Sequence, residues 1–187
     1  MKLSFRPLRA DEVECRVAQV GKAKTGDPLH WITLLLYKDA RCDMNVLDEA
    51  VGPLNWQRTH TRDNANCIVS IWDDDKKIWV GKEDTGTESY TEKEKGLASD
   101  SFKRACFCWG IGRELYTGPM IFIPHIDKRD GKENYEIRVS GEKAQPYANF
   151  VVTFMAVKDG RIIGLSIENT KLKRTVFAWG NLDGCGV

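Results

Sequence analysis

The sequence lacks a long hydrophobic run, which excludes a helix that crosses a membrane. Its longest apolar candidate, Trp31 to Tyr37, has the length of a β-strand, whereas a membrane-spanning helix needs about 20 apolar residues. Met1 to Arg6 carries charges with no long apolar stretch behind them, which argues against a secretory signal. We therefore expect a cytoplasmic protein.

The cysteines and histidines lack the spacing of a metal site or a disulfide framework. The six cysteines are scattered without a C-x-x-C pair, and the three histidines have no ligand spacing to one another. We therefore expect reduced, mostly buried thiols, no bound metal and no cofactor.

Sequence motifs of catalytic and nucleotide-binding sites are also missing. There is no G-x-S-x-G elbow, and the loop 21–26 lacks the phosphate-binding register G-x-x-x-x-G-K-[ST]. Asp73 to Asp75 could hold a metal or act in acid–base chemistry, but a hairpin turn explains three polar residues equally well. We predict no enzymatic activity. A metal-dependent nucleic-acid enzyme using Asp73–Asp75 or Cys106 and Cys108 is one alternative, and a non-catalytic interaction protein is another.

The charge balance gives no direct sign of a nucleic-acid partner. Lys and Arg number 28 and Asp and Glu number 27, which leaves a net charge of +1. Binding to DNA must therefore depend on where the cations lie. The hydrophobic fraction of 42% is large enough for a packed core.

The pattern of apolar residues and turn signals predicts an α+β protein. The predicted strands cover residues 31–37, 56–61, 66–72, 77–82, 120–126, 135–139, 150–158, 161–167 and 175–179. Residues 12–20 are either a strand or a helix. A short helix over 44–51 is predicted to begin at Asp43 as N-cap and to stop at Gly52. Asp159-Gly160 is typical of a type I′ turn.

The best-defined helix covers residues 92–109 and follows a capping box at Thr91–Glu94. Its apolar stripe leaves Lys103, Arg104 and Phe107 in the opposite arc. Two adjacent cations with an aromatic ring one turn later could grip a phosphate and offer a stacking face. A solvated helix face is the plainer explanation.

Two other basic segments are candidates for backbone contacts with DNA. Lys22 and Lys24 lie in a glycine-punctuated loop, which could equally be an exposed turn. Arg58, His60 and Arg62 recur at period two, so on a strand they would share one face as a cationic stripe.

Several segments, taken in this order, carry a resemblance to a known family. They are Val46-Leu47-Asp48-Glu49-Ala50-Val51-Gly52-Pro53-Leu54-Asn55-Trp56-Gln57, Gly81-Lys82-Glu83-Asp84-Thr85-Gly86, Glu94-Lys95-Gly96-Leu97-Ala98-Ser99-Asp100-Ser101-Phe102-Lys103-Arg104-Ala105 and Trp109-Gly110-Ile111-Gly112-Arg113-Glu114-Leu115-Tyr116. In this order the chain resembles the phage single-strand annealing proteins of the Sak type, relatives of the eukaryotic Rad-fifty-two recombination mediator.

The resemblance implies both a fold and a function. A core of residues 1–118 would pack a curved antiparallel β-meander on the long helix, with a β-rich C-terminal extension over 119–187. Protomers would form a ring or filament whose positively charged groove holds single-stranded DNA. The protein would anneal complementary strands without ATP, in phage homologous recombination and double-strand break repair, in the cytoplasm of the bacterial host.

The resemblance also implies roles for individual residues. Lys103 and Arg104 match the family's binding cations most directly, and Arg16 sits where the family often has a groove arginine. Arg41 could line the groove or form a structural ion pair with Asp48 or Asp100. The predicted DNA-binding set is Lys103, Arg104, Arg16, Arg41, Lys22, Lys24, Arg58, Arg62 and Phe107. The expected partners are single-stranded DNA and further copies of the chain, with a phage exonuclease or host single-strand binding protein as a candidate third partner.

Overall fold

The computed structural model describes residues 3–22, 30–87, 93–140 and 143–183. Backbone contacts divide the chain into two compact units. Unit 1 is formed by Met1–Leu8 and Lys38–Arg113, and unit 2 by Arg9–Tyr37 and Glu114–Val187. Within these described ranges, no helix is both long enough and apolar enough to cross a membrane.

The predicted α+β class is confirmed, with mostly antiparallel strands and, in the described ranges, two α-helices. In chain order the elements are β1 (Glu14–Lys22), β2 (His30–Tyr37), α1 (Ala40–Val51), β3 (Trp56–Thr61), β4 (Asn66–Asp73), β5 (Ile78–Thr85), α2 (Lys93–Trp109), β6 (Ile121–Pro124), β7 (Glu136–Ser140), β8 (Lys143–Tyr147), β9 (Phe150–Lys158), β10 (Arg161–Asn169) and β11 (Arg174–Gly180). Strand β8 was not predicted, because Pro146 and its polar neighbours break the pattern of alternating apolar residues. The ambiguous segment 12–20 contains strand β1.

Unit 1 is built on a three-stranded antiparallel meander, β3–β4–β5, packed against α2. Cys67, Val69 and Ile71 alternate along β4 and are buried. They face α2, whose Phe102 and Ala105 are fully buried. Burying a side chain of phenylalanine size contributes about 1.5–3 kcal/mol, so this contact holds the helix on the sheet.

Helix α1 begins one turn earlier than predicted, so the expected N-cap at Asp43 is wrong. Asp39 is the N-cap: its Oδ1 accepts hydrogen bonds from the amides of Arg41 at 2.8 Å and Cys42 at 2.9 Å. Asp43 lies inside the helix, fully buried and paired with the ammonium of Lys38. The helix ends as predicted at Gly52, whose φ of +84° suits glycine.

Unit 2 contains a six-stranded antiparallel sheet in the order β11-β10-β9-β1-β2-β6. The end strands β6 and β11 also contact each other, which makes the sheet a nearly closed barrel. Its interior is formed by apolar side chains that alternate along the strands, including Ile32, Ile123 and Leu165. The β9–β10 turn has φ of +51° at Asp159 and +71° at Gly160, as the predicted type I′ geometry requires.

The six-stranded sheet joins strands from both sides of the predicted boundary at residue 118. Strands β1 and β2 precede that boundary, whereas β6, β9, β10 and β11 follow it. Trp31 of β2 pairs with Pro124 of β6, and Glu14 of β1 pairs with Val151 of β9. The first hairpin therefore belongs to the same compact unit as the C-terminal third of the chain.

Candidate nucleic-acid interface

Helix α2 carries the predicted cationic pair and is covered on more than one side. It lies against β4 and β5 and also contacts α1. Among its described side chains, Lys95 and Arg104 are exposed, and the others are half-buried or buried. The solvent-facing side of α2, where Lys103 and Arg104 were predicted to lie, is therefore narrower than it would be on a helix that packs on one side only. Thr91 of the predicted capping box lies outside the described residues.

Lys103 and Arg104 each lie within 4 Å of one surface carboxylate of unit 1, and the charge of Lys103 also acts on the buried Asp43. The ammonium of Lys103 is 3.9 Å from Oδ1 of Asp100, and its side chain is 24% exposed. The guanidinium of Arg104 is 3.5 Å from Oδ1 of Asp84 on β5, and its side chain is 44% exposed. Both separations exceed the usual 2.7–2.9 Å of a charge-assisted hydrogen bond, so the two cations are only loosely paired.

Phe107, the predicted stacking residue, has a cation over its ring. The Nζ atom of Lys38 lies 4.3 Å from the ring centroid, and Phe107 is half-buried. Lys38 is itself buried in an ion pair with Asp43. One face of the Phe107 ring therefore lies beside a buried charge, and its role in stacking stays a prediction.

The Lys38–Asp43 pair is the most deeply buried charge cluster of unit 1. Burial raises the pKa of Asp43 to about 6 from 3.8, although the charges of Lys38 and Lys103 act to lower it. Its Oδ2 atom is buried and accepts no hydrogen bond from the described residues. One oxygen of the Asp43 carboxylate therefore lacks a hydrogen-bond donor among the described residues. Loss of Lys38 would leave the negative charge of Asp43 buried without its cation.

Arg58 and His60 lie on the same side of β3, as predicted, but Arg62 does not continue their stripe. The guanidinium of Arg58 lies over the ring of Phe102 at 4.9 Å, and Nδ1 of His60 is 3.4 Å from the hydroxyl of Ser101. Both therefore face α2. Arg62 follows the end of β3 in a turn, with φ of +51°. Burial, followed by the charge of Arg58, lowers the pKa of His60, so its ring is neutral near pH 7.

Arg41 does not form either of the ion pairs considered for it. Its Nε atom lies 3.8 Å from Oδ2 of Asp39, and its side chain is 89% exposed. Asp48 instead accepts a hydrogen bond from the indole of Trp56 at 2.6 Å. Asp100 accepts from the amide of Thr87 at 2.9 Å. Arg41 is thus available to an external anion.

Three predicted residues belong to the first hairpin or its loop. Arg16 is exposed on β1 in unit 2. Lys22 ends β1, but its side chain lies outside the described residues, as does the whole of Lys24. The structure therefore places Arg16 alone of the three.

Two cations that sequence reasoning missed hold the C-terminal end of α2. Arg113 donates from Nε to the carbonyl of Phe107 at 2.6 Å and from Nη2 to that of Cys108 at 2.7 Å. Lys82 donates to the Cys108 carbonyl at 2.9 Å. Cations at this end complement the helix dipole. The position of Arg113 just after the end of α2 in the sequence could have indicated that it binds the last carbonyls of the helix.

The acidic turn considered for an enzyme is accounted for by local ion pairs. Lys76 lies 2.6 Å from Asp73, and Lys77 lies 2.7 Å from Asp74. The turn borders a pocket of about 790 Å³ whose walls include the indoles of Trp72 and Trp109. Across the described ranges, no three His, Cys, Asp or Glu side chains come together as metal ligands.

The two cysteines considered for catalysis are both held as thiols. Burial is the largest cause that raises the pKa of Cys106 and of Cys108, and nearby carboxylates raise each further. A nucleophilic cysteine needs the opposite shift, because the thiolate is the reactive form.

Comparison of the chain with protein-family models, with curated proteins and with solved structures found no match. The resemblance to the Sak-type annealing proteins therefore stays a prediction from the sequence, and the residue roles that it implies stay proposals.

Proposed function

We propose that this protein binds single-stranded DNA by its backbone and anneals complementary strands without ATP, in phage homologous recombination and double-strand break repair. The observation that carries the proposal is the adjacent pair Lys103 and Arg104 on α2. Both cations are partly exposed, and their nearest carboxylates lie 3.9 Å and 3.5 Å away.

Loose ion pairs of this kind leave the two cations open to exchange. A surface pair such as Arg104–Asp84 is worth about 0–1 kcal/mol. Lys103 is less exposed, but it lies farther from its carboxylate, at 3.9 Å. A DNA phosphate that replaces the carboxylate also releases condensed counterions, which favours binding at low salt. The same weakness suits an annealing protein, because the strand must leave again once it has paired.

The helix that carries the pair is well anchored, which supports a role in positioning phosphates. Phe102 and Cys106 fix it in the core of unit 1, and Arg113 holds its C-terminal carbonyls. Phosphate contacts from a rigid helix set the path of a strand but do not read its sequence. Such contacts suit a protein that must accept any pair of complements.

We further propose that many copies act together. The net charge of +1 and two loosely paired cations give one copy little affinity, but linked copies add their contacts along one strand. Strands β3 and β5 are edge strands of the meander. Unpaired edges of this kind favour pairing with another chain, which provides one route to assembly.

The direct test replaces Lys103 and Arg104 together by alanine. The matched control is Lys76→Ala with Lys77→Ala, which removes an adjacent cationic pair from the β4–β5 turn of the same unit. Binding to fluorescent oligonucleotides of several sequences is measured by anisotropy over a range of salt. We expect uniformly weaker binding and a salt slope shallower by about 0.7 for each phosphate that the variant no longer neutralises.

Affinity that stays at the control's level would contradict the assignment of this pair. A second measurement addresses the activity itself: annealing of complementary strands with EDTA and without ATP, beside electron microscopy with and without single-stranded DNA. Annealing by an assembly supports the proposal. Metal-dependent strand cleavage by a monomer would favour the enzyme alternative.

A further inference from the structure

A second group of cations lies in unit 2, around the ring of Tyr147. The guanidinium carbon of Arg138 is 3.5 Å from the ring centroid, and Nζ of Lys171 is 2.9 Å from it. All three side chains are exposed, and Tyr147 keeps 39% of its surface accessible. We call these three residues the Tyr147 cluster.

The Tyr147 cluster is assembled from three elements that hydrogen bonds hold in place. Arg138 lies on β7 and Tyr147 ends β8, and these strands pair with each other. Lys171 lies in the β10–β11 turn, where its amide donates to Oδ1 of Asn169 at 3.1 Å. The amide of Thr170 donates to the carbonyl of Asn149 at 2.9 Å, which ties this turn to the chain just after Tyr147.

The cations of the Tyr147 cluster have no carboxylate partner among the described residues. Neither Arg138 nor Lys171 forms an ion pair within the described part of the chain. The other arginines nearby behave differently: Arg129 lies 2.6 Å and Arg174 lies 2.8 Å from Oδ2 of Asp127. Lys171, followed by Arg138, lowers the pKa of the Tyr147 hydroxyl.

We infer that the Tyr147 cluster is a further contact for single-stranded nucleic acid, in which Lys171 and Arg138 bind phosphate and the outer face of the Arg138 guanidinium, supported by the Tyr147 ring, stacks against a base. This inference rests on the proposed function and extends it to residues of the C-terminal third.

The chemistry of the Tyr147 cluster favours a nucleic acid over other anions. Two cations with no carboxylate partner in the described part of the chain would suit any phosphate or carboxylate. The guanidinium of Arg138, which lies over the Tyr147 ring, adds a surface on which bases of any sequence can stack. Single-stranded nucleic acid offers both groups at the spacing of one nucleotide.

The test uses the full chain with Arg138→Gln and Lys171→Gln. The matched control is Lys158→Gln with Arg161→Gln. It removes two exposed cations that lie opposite each other in the β9–β10 strand register of the same unit. Binding to oligo(dT) is measured by anisotropy at several salt concentrations. We expect a slope shallower by about 0.7 for each phosphate that is left without its cation, and no such change in the control.

The base contact is tested at Tyr147 itself. Tyr147→Phe keeps the ring and should bind like the wild type, whereas Tyr147→Leu should bind at least about fivefold more weakly.

Each contrary result has a distinct meaning. If the Arg138/Lys171 variant matches its control while the Lys103/Arg104 variant binds more weakly, the inference is wrong and the proposed function stands. If the wild type does not bind oligo(dT), both are wrong. Equal decreases in affinity for oligo(dT) and heparin, with Tyr147→Leu unchanged, would show a general anion site and overturn the assignment to nucleic acid.

Discussion

Replacing Lys38 by methionine tests how unit 1 holds α1 and α2 together. Lys38 is 1% exposed and Asp43 is not exposed at all, so the substitution leaves a carboxylate uncompensated in the core. Removal of one partner from a buried ion pair costs about 3–5 kcal/mol. Methionine keeps much of the apolar stem, so the decrease reports mainly the missing charge. We expect a decrease of that size in the free energy of unfolding at neutral pH.

The pH dependence of this decrease follows from the carboxyl group. The folded-state pKa of Asp43 is raised from 3.8 to about 6. Its contribution to stability is therefore fully present below 3.8 and is lost as the pH rises towards 6. That shift corresponds to about 3 kcal/mol in the wild type. Without Lys38 the pKa of Asp43 rises further. The stability of the variant therefore continues to fall with rising pH in a range where the stability of the wild type no longer changes.

The assay is urea unfolding followed by tryptophan fluorescence at about pH 5 and about pH 7.5. The control is the double variant Lys38→Met/Asp43→Leu, which removes both charges and should match or exceed the wild type, as apolar replacements of buried pairs often do. The reasoning is refuted if the single variant loses less than about 1 kcal/mol, or if the double variant is less stable than the single one.

Two further predictions concern stability. Phe102→Ala should lower the free energy of unfolding in urea by about 3–5 kcal/mol, because Phe102 is fully buried and stacks on Trp56 at 6.1 Å between centroids. The control Phe122→Ala, at a ring that is 44% exposed, should cost much less. Equal costs would contradict the burial of Phe102 in the core. Acid should destabilise unit 2, because hydrogen bonds from Arg129 and then Arg174 lower the pKa of Asp127 below its usual 3.8, and this stability is lost as the pH falls. Asp127→Asn should therefore show a smaller drop in Tm between about pH 5 and about pH 3, and an unchanged drop would contradict it.

The sequence predicted local structure wherever pattern and turn chemistry agree. Strands β3 and β9 have their predicted bounds, and the turn at Asp159–Gly160 has its predicted geometry. The start of α1 was missed because two aspartates compete as N-cap, and only the buried Lys38 explains why Asp43 lies inside the helix. The place of β1 and β2 in the barrel was missed because their pairing with β9 and β6 depends on contacts far apart in the chain.

For the candidate site, too, the sequence predicted some residue positions and not others. Helical periodicity alone predicted that Lys103 and Arg104 lie off the core face of α2. Periodicity could not show that Arg58 and His60 face α2, because the side of a strand that is covered depends on what packs there. The Tyr147 cluster left no sequence signal, since Arg138, Tyr147 and Lys171 come from three elements and meet only through strand pairing and a turn.

The proposed annealing activity requires contacts that are individually weak, and the two proposed sites would provide weak contacts of two kinds. On α2, cations stand near carboxylates at 3.5 and 3.9 Å, so a phosphate gains only the difference between two loose pairs. Around Tyr147, the proposed contact uses two cations that have no carboxylate partner among the described residues, and it would hold a nucleotide without reading its sequence. Because linked contacts add their free energies, affinity should rise steeply with the number of copies on a strand. A DNA strand that dissociates from one protein copy at a time then meets only a small free-energy barrier at each step. A strand that is bound strongly by many copies can therefore still be released into a duplex.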